Sequence, residues 1–438
     1  MATPAADGMT PADAPPRPPG APPRPPGAVE TPGSTGAAVQ LLARGPQDEL
    51  FTGRPEITFF KATHQRHTPF ATETFEDRVP CRFGRVALAT IDRRGDVLQG
   101  LSLEIRVPDV TLADGSPVLV DGSPAVWTDR LALAMIRRVR VRVGDVLVHD
   151  AERLWEDVHD KLFAASAKGL ATLAGGAATP VARVVTDPPK PLPVVWLPIR
   201  LMPGACFPAG AVPNAPKITV EIDVESLGGL LIPGVDADAR FADPDIDVRV
   251  LSECVFLGSE TEQHGLLDAT TDLMYERVAD METRTYVTDS DGVDVPVDTW
   301  SVDLSELNHP VRYLAVVAYD EAFTRLFQYE PDPFAEVTLE LFGQERFSPR
   351  DGAYFRLPQR YAASCATAAS DGVHVYSFAL DASTHAPSGQ LNFGVLGTPR
   401  LRGRLSASAS GKRLVVKVFA AYYEFARAGK GEVQPTYV

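Results

Sequence analysis

Between Arg138 and Val148 the chain reads R-V-R-V-R-V-G-D-V-L-V. Strict alternation places Val139, Val141 and Val143 on one face and Arg140 and Arg142 on the other, a period that a helix does not keep. Gly144-Asp145 supplies a two-residue turn, so the stretch predicts a β-hairpin with one packed and one wet face. The arginines read as a solvated face rather than a binding site. The same alternation recurs at Lys217–Val224, through Ile218, Val220, Ile222 and Val224, and at Val337–Phe342, where Val337, Leu339 and Leu341 alternate with Thr338 and Glu340 before a turn at Gly343-Gln344.

Further strands are predicted at Arg85–Ile91 and Leu101–Val107, joined by a turn at Arg94-Gly95-Asp96, and at Asp245–Leu257, Val311–Tyr319, Val373–Leu380, Leu391–Phe393, Leu401–Leu405 and Arg413–Phe425. Many short strands separated by turn residues indicate all-β sandwiches. Ala151–Leu162 switches to helical spacing, with Leu154, Trp155, Val158 and Leu162 on the apolar face and Glu152, Glu156, Asp157 and Asp160 on or near the other. Residues 259–272 are polar and weakly helical, which suits a linker, and the two halves share no obvious sequence repeat.

A chain of 438 residues has room for two or three domains and a sizeable core. A net charge of −15 argues against nucleic acid as a partner of the folded body, because phosphate binding needs a basic surface. Cys81, Cys206, Cys254 and Cys365 lie far apart without zinc spacing, which suits free thiols in a reducing compartment. No apolar run approaches the ~20 residues of a membrane-spanning helix, and the first residues lack the order of a secretory leader. Asn214, Asn308 and Asn392 all lack the N-x-[ST] spacing. Residues 1–36 hold APPRPPG twice in tandem, at Ala14–Gly20 and Ala21–Gly27; such proline density favours an extended tail or an assembly arm carrying Arg17 and Arg24.

Candidate chemistry is sparse. There is no phosphate-binding loop, nucleophile elbow or H-E-x-x-H, so no catalytic, cofactor-binding or metal residues are assigned. His64 with His67, His149-Asp150 and His159-Asp160 lack converging ligands. Asp289, Asp291 and Asp294 form only a fragment of a calcium loop, and the acidic run at 236–247 reads as an exposed loop. Trp127, Trp155, Trp196 and Trp300 read as core or interface residues.

From Gln40 to Phe75 the chain resembles the opening motif of the major capsid proteins of nucleocytoplasmic large DNA viruses. The residues that carry the resemblance include Gln47, Asp48, Gly53, Pro55, Phe59, Phe60, Lys61, Arg66 and His67. Three later stretches resemble the same family in the same order. These are Leu307–Val311, with Asn308, His309 and Pro310; Phe342–Phe355, with Arg346 and Phe347; and Tyr376–Phe393, with Tyr376, Phe378, Pro387, Ser388, Gly389, Asn392 and Phe393. Departures fall at Cys206–Ile218, Ser259–Leu266 and Gly394–Gly397.

The resemblance implies a double jelly roll of two consecutive antiparallel eight-stranded sandwiches, with short helices in loops. Its parts would be a proline-rich arm at 1–36, a first jelly roll at 37–258, a linker at 259–272, a second jelly roll at 273–427 and a tail at 428–438. It implies a structural virion subunit, not an enzyme, with no cofactor. Its partners would be two further copies of itself, neighbouring capsomers and minor capsid proteins. The shell could overlie an internal membrane, and assembly would take place in the host cytoplasm. Open alternatives are a minor capsid or scaffold paralogue, and a jelly-roll module that binds glycans or receptors.

Overall fold

The computed structural model describes residues 42–43, 67–116, 118–120, 123–163, 173–175, 194–201, 207–208, 217–230, 245–268, 271–288, 293–321, 326–367, 371–429 and 432–436. The proline arm, the opening motif from Gln47 to Arg66, His64, Cys206, Asp289 and Asp291 lie outside the described residues, as do most of 163–216 and of the acidic run at 236–247. The chain divides after His67. Of the first unit, Leu42, Ala43 and His67 are described, and all three are exposed. Thr68–Val438 forms the second unit and holds every strand discussed below.

In the first half the strands on the two main sheet paths are β1 (Phe70–Cys81), β2 (Val86–Ile91), β3 (Val97–Arg106), β4 (Ile136–Val143), β5 (Val146–Glu152), β6 (Val194–Ile199), β7 (Ile218–Val224) and β8 (Ile246–Leu257), with shorter strands at Leu119–Val120, Ser123–Pro124 and Phe207–Pro208 beside them. The main strands form two antiparallel sheets, β1-β8-β3-β6 and β2-β7-β4-β5. In the second half come β9 (Thr271–Arg284), β10 (Thr299–Asp303), β11 (Pro310–Asp320), β12 (Phe334–Leu341), β13 (Gln344–Glu345), β14 (His374–Ser377), β15 (Arg400–Leu405) and β16 (Leu414–Gly429). Their sheets run β9-β16-β11-β14 and β10-β15-β12-β13. Adding eight to each label of the first half reproduces the order of the second. Each half is therefore a jelly-roll sandwich, and the duplication is one of topology. Helices α1 (Leu131–Met135), α2 (Arg153–Phe163), α3 (Glu260–Asp268), α4 (Gly352–Arg356) and α5 (Pro358–Ala362) lie between strands.

The alternation at 138–148 fixes its own register. Val139, Val141 and Val143 pair with Ile222, Val220 and Ile218 of β7, and all six are buried. A one-residue slip would turn the whole set to solvent. Gly144 takes φ +59°, as the tight β4–β5 turn requires. On the outer face Arg138 meets Asp150, Arg137 meets Asp223 at 2.8 Å and Arg140 meets Glu221, so these arginines form a cross-strand ion ladder.

Strands β11 and β16 show no alternation, for a different reason. Val311–Tyr319 and Leu414–Tyr423 are buried throughout. One face of this sheet, with Tyr313, Ala315 and Val317, joins the core of the first sandwich. The other, with Leu314, Val316 and Ala318, packs inside the second. Each large side chain so enclosed stabilises the fold by roughly 1.5–3 kcal/mol. The core of the first sandwich thus extends onto the outer face of this sheet, and the second sandwich encloses its own core on the inner face.

The Arg94-Gly95-Asp96 turn joins β2 to β3 as expected, and because these lie in opposite sheets it forms a corner between them. Several expectations are corrected. Val194–Ile199 is a strand that is absent from the expected set. β9 begins inside the expected linker and runs on for 14 residues. The β12–β13 turn falls on Phe342-Gly343, with φ +53° and +73°, one residue earlier than the sequence indicates. Glu156 and Asp157 of α2 are 7% and 0% exposed, because their side of the helix faces the second sandwich rather than water.

Gly403 offers a test of how tightly the second sandwich is built. It pairs with Trp300 across β10 and β15. A Cβ there would lie 2.3 Å from the Glu336 carbonyl oxygen and 2.7 Å from the indole. Gly403→Ala is expected to destabilise by about 1–3 kcal/mol through overpacking. Urea unfolding checks this, and a midpoint equal to wild type would show that the strands part freely.

Candidate functional site

Two constellations in the Thr68–Val438 unit gather the side chains that spacing singles out or misses. The first lies in the second sandwich, where the motif stretches of the second half converge. Pro310 pairs with Asn392 and Val311 with Leu391. The Phe393 amide donates to the His309 carbonyl at 3.2 Å, and Asn392 Oδ1 accepts from the Gly394 amide at 2.9 Å. A Cβ on Gly394 would lie 2.9 Å from the Asn308 carbonyl oxygen, so glycine permits this close pass. The His309 ring stacks on Tyr422 at 4.5 Å and 6°, and burial holds its imidazole below the ordinary histidine range.

An aromatic chain ties the remaining motifs together. Phe347 meets Tyr376 at 4.8 Å, Tyr376 meets Phe378 at 5.2 Å, and Phe378 meets the buried Phe393 at 5.9 Å. Such pairs contribute roughly 0.5–1.5 kcal/mol each beyond their buried area. The Arg346 amide donates to the Leu339 carbonyl at 2.8 Å while its side chain stays exposed. Ser388 Oγ donates to the Asp381 carbonyl and accepts from the Asp381 amide, both at 3.0 Å. Gly389 takes φ +144° where a Cβ would lie 2.6 Å from the Phe378 carbonyl oxygen. The neighbouring Pro387 is exposed. His67, from the opening motif, belongs to the other unit.

The second constellation is the joint between the sandwiches, organised by α2. Trp155 packs at 6.3 Å from Tyr313 and 5.5 Å from Phe419. Asp157 accepts from the Tyr329 hydroxyl at 2.9 Å and pairs with Lys161 at 2.7 Å and with Arg130. Lys161 Nζ donates to the Phe327 carbonyl at 2.9 Å. Buried Arg360 pairs with Asp371 at 2.8 Å and donates to the Lys161 carbonyl at 3.1 Å. The Ala366 amide donates to the Leu162 carbonyl at 2.8 Å.

At the other end of the joint, Lys417 of β16 pairs with Glu152 of β5 at 2.7 Å and with Asp280 of β9 at 3.1 Å. Burial alone would depress the Lys417 ammonium, but the Glu152 and Asp280 carboxylates outweigh it and hold it above the ordinary lysine range. The anchors of this joint escape the motif reading. A signal for two of them was present: Arg312 and Lys417 are single charges inside otherwise apolar runs, and a charge there must be paired.

The chemistry available here is that of packing and ion pairing. Among the described residues no group of three or more His, Cys, Asp or Glu is placed to hold a metal ion. Cys81, Cys254 and Cys365 are free and buried, and burial raises each thiol. Trp127, Trp155 and Trp300 are core residues, while Trp196, on β6 at the edge of its sheet, is 40% exposed.

Two fused jelly rolls of equal strand order, packed across the β9-β16-β11-β14 sheet, define a double jelly-roll protein of the kind that builds viral shells. Residues 58–201 match the family described as "Major capsid protein N-terminus", and residues 283–417 match "Large eukaryotic DNA virus major capsid protein". The chain belongs to the major capsid protein family of the large eukaryotic DNA viruses. It is 24% identical to the major capsid protein of Phaeocystis pouchetii virus, over 90% of this chain and 98% of that one. The major capsid protein of Pyramimonas orientalis virus is also 24% identical, with the same two coverages. In fold it is similar to the capsid protein of the PBCV-1 virus capsid, with a TM-score of 0.68, 18% identity, and coverage of 87% of this chain and 100% of that one.

Proposed function

We propose that the chain is a capsid subunit of a large double-stranded DNA virus, and that three copies close into a ring of six jelly rolls. The observation that carries this reading is the repeated strand order. Two sandwiches of one topology per chain give three-fold assembly a near-hexagonal outline, and a heterologous contact that closes after three copies tiles a shell without open ends. Function then resides in interface area and shape, as a structural role with no reaction to perform.

In this reading Asn308–Pro310, Arg346-Phe347, Tyr376–Phe378, Pro387–Gly389 and Asn392-Phe393 are structural residues that fix one end of the second sandwich. The opening motif at Gln47–His67 leads into the first jelly roll, residues 259–272 link the two, and the arm at 1–36 faces the shell interior or a neighbouring capsomer. Partners are further copies, adjoining capsomers and minor capsid proteins; the net charge of −15 disfavours direct nucleic-acid contact. Assembly takes place in the host cytoplasm.

Light scattering coupled to size exclusion tests the assembly. At micromolar concentration the chain is expected at three times its own mass, through interfaces above the ~2,000 Å² of obligate assemblies. A monomer alone under those conditions would count against the trimer.

A further inference from the structure

The cleft beside α2 brings together ionisable groups outside the motif pattern, with the His159 ring packed between Trp155 at 5.6 Å and Phe163 at 4.7 Å. His149 lies on β5, His159 on α2 and His385 in the segment after β14, and all three are partly exposed, so solvent protons reach them. Arg200, just past β6, contacts His159 Nδ1 through Nη1 and Glu156 through Nη2. Arg312 of β11 pairs with Glu276 of β9 and donates to the carbonyls of Ala382 and Thr384, which holds the His385 segment against the sheet.

The other groups facing the cluster are few. Asp150 and Arg277 line the cleft, and the Tyr313 hydroxyl lies 3.4 Å from Glu276. The Tyr423 ring lies 5.1 Å from the Arg312 guanidinium.

His159 Nδ1 can accept from the Arg200 guanidinium only while the imidazole is neutral with its proton on Nε2. Once protonated, both ring nitrogens are donors and the contact becomes donor against donor, cation against cation. His385 adds charge beside both arginines, and His149 adds charge beside Arg200, where the Glu156 and Asp150 carboxylates offset part of it.

We propose that this cluster is an acid-sensitive latch: at mildly acid pH it releases α2 from the second sandwich and loosens the joint, while each sandwich keeps its strands. Burial first, then the neighbouring Arg200, holds His159 well below the ordinary histidine range. Burial lowers His149 as well, with Glu156 and Asp150 opposing and Arg200 adding to the shift, and burial followed by Arg312 and Arg200 lowers His385. The open form therefore binds more protons than the closed form. The closed joint is fully favoured above pH ~6.5 and loses stability as pH falls toward the depressed values.

Glu276 works the other way. Burial raises its carboxyl, so it takes a proton in the closed state, which by linkage favours closure but removes the counter-charge of Arg312. Glu152, also raised by burial, acts in the same sense at the Lys417 end of the joint. The two carboxyls thus oppose the three imidazoles, and the pH dependence of melting reads their sum.

The test uses the full-length protein in solution, with the scattering mass followed beside the radius so that opening is read at constant assembly state. Thermal melting and the X-ray scattering radius of gyration are followed from pH 8 to pH 5 for wild type and for the triple variant H149Q/H159Q/H385Q. Wild type is expected to lose about 2–4 °C in Tm between pH 7.5 and 5.5, with an enlarged radius and unchanged strand content by circular dichroism. The triple variant is expected to lose less than half as much. Parallel falls in the two proteins would overturn the latch. If the triple variant does not fold, the wild-type radius decides: constant size down to pH 5 overturns the proposal, and expansion with intact strands supports it.

Discussion

Asp157→Ala is expected to destabilise the chain by about 3–5 kcal/mol, the scale for stranding buried charges by removing their partner. Asp157 has no exposed surface. Its carboxylate accepts from the Tyr329 hydroxyl of the second sandwich and faces Lys161 and Arg130 of the first. Without it the Arg130 guanidinium loses its counter-charge, and Lys161, which burial and then Arg130 lower to about 7, loses the carboxylate that favours its charged form. Lys161 cannot simply swing to water, because its ammonium also donates to the Phe327 carbonyl and lies 4.1 Å from the centre of the Tyr329 ring. Tyr329→Phe should cost only about 1 kcal/mol, the net value of one hydrogen bond. Adding Lys161→Met to Asp157→Ala should recover part of the loss, since it removes one of the two groups that lose Asp157. Urea unfolding midpoints of the three variants check the order. A wild-type midpoint for Asp157→Ala would mean that the joint carries no share of stability.

That Asp157 lies on the polar side of an amphipathic pattern explains why sequence does not reveal it. The spacing of Leu154, Trp155, Val158 and Leu162 gives the helix and its apolar face correctly. A helix clamped between two sandwiches has no wholly wet side, though, and the partners of Asp157 lie far off along the chain at Arg130 and Tyr329. The hairpin at 138–148 was legible because each of its constraints is local: alternation, a two-residue turn and one buried face. β6 was not, because VVWLPI follows a proline-rich stretch and contains Pro198. The structure accommodates Pro198 because β6 is the edge of its sheet, bonded to β3 alone along that path.

β9 escaped notice for the opposite reason. Glu276, Arg277, Asp280 and Glu282 break any apolar alternation, yet each has a tertiary partner: Arg312 for Glu276, Glu424 for Arg277, and Lys417 for Asp280 and Glu282. The motif stretches of the second half were visible singly, but their meeting through Phe347, Tyr376, Phe378 and Phe393 depends on pairings between distant segments that no local period encodes.

Arg312→Met is expected to cost about 3–5 kcal/mol, and the double variant R312M/E276L distinctly less. Arg312 is 1% exposed and pairs with Glu276, so the single substitution leaves an uncompensated carboxylate at the joint. Removing both charges abolishes that penalty, and a pair of apolar side chains of similar volume is often as stable as the ion pair it replaces. Recovery should stop short of wild type for a reason specific to this site. Arg312 also donates to the Ala382 and Thr384 carbonyls, and these lose their donor in both variants. Ala382 is buried, and an unsatisfied buried acceptor costs roughly 1–3 kcal/mol, whereas exposed Thr384 can turn to water. Unfolding the two single variants and the double variant in parallel gives the coupling energy directly. Additive losses would show that Glu276 finds another partner. A double variant equal to wild type would show that the 382–385 segment needs no anchor, and limited proteolysis of that segment should then be unchanged as well. A coupling energy above about 1 kcal/mol together with a residual loss is the result expected of an arginine that both neutralises β9 and pins a loop against β11.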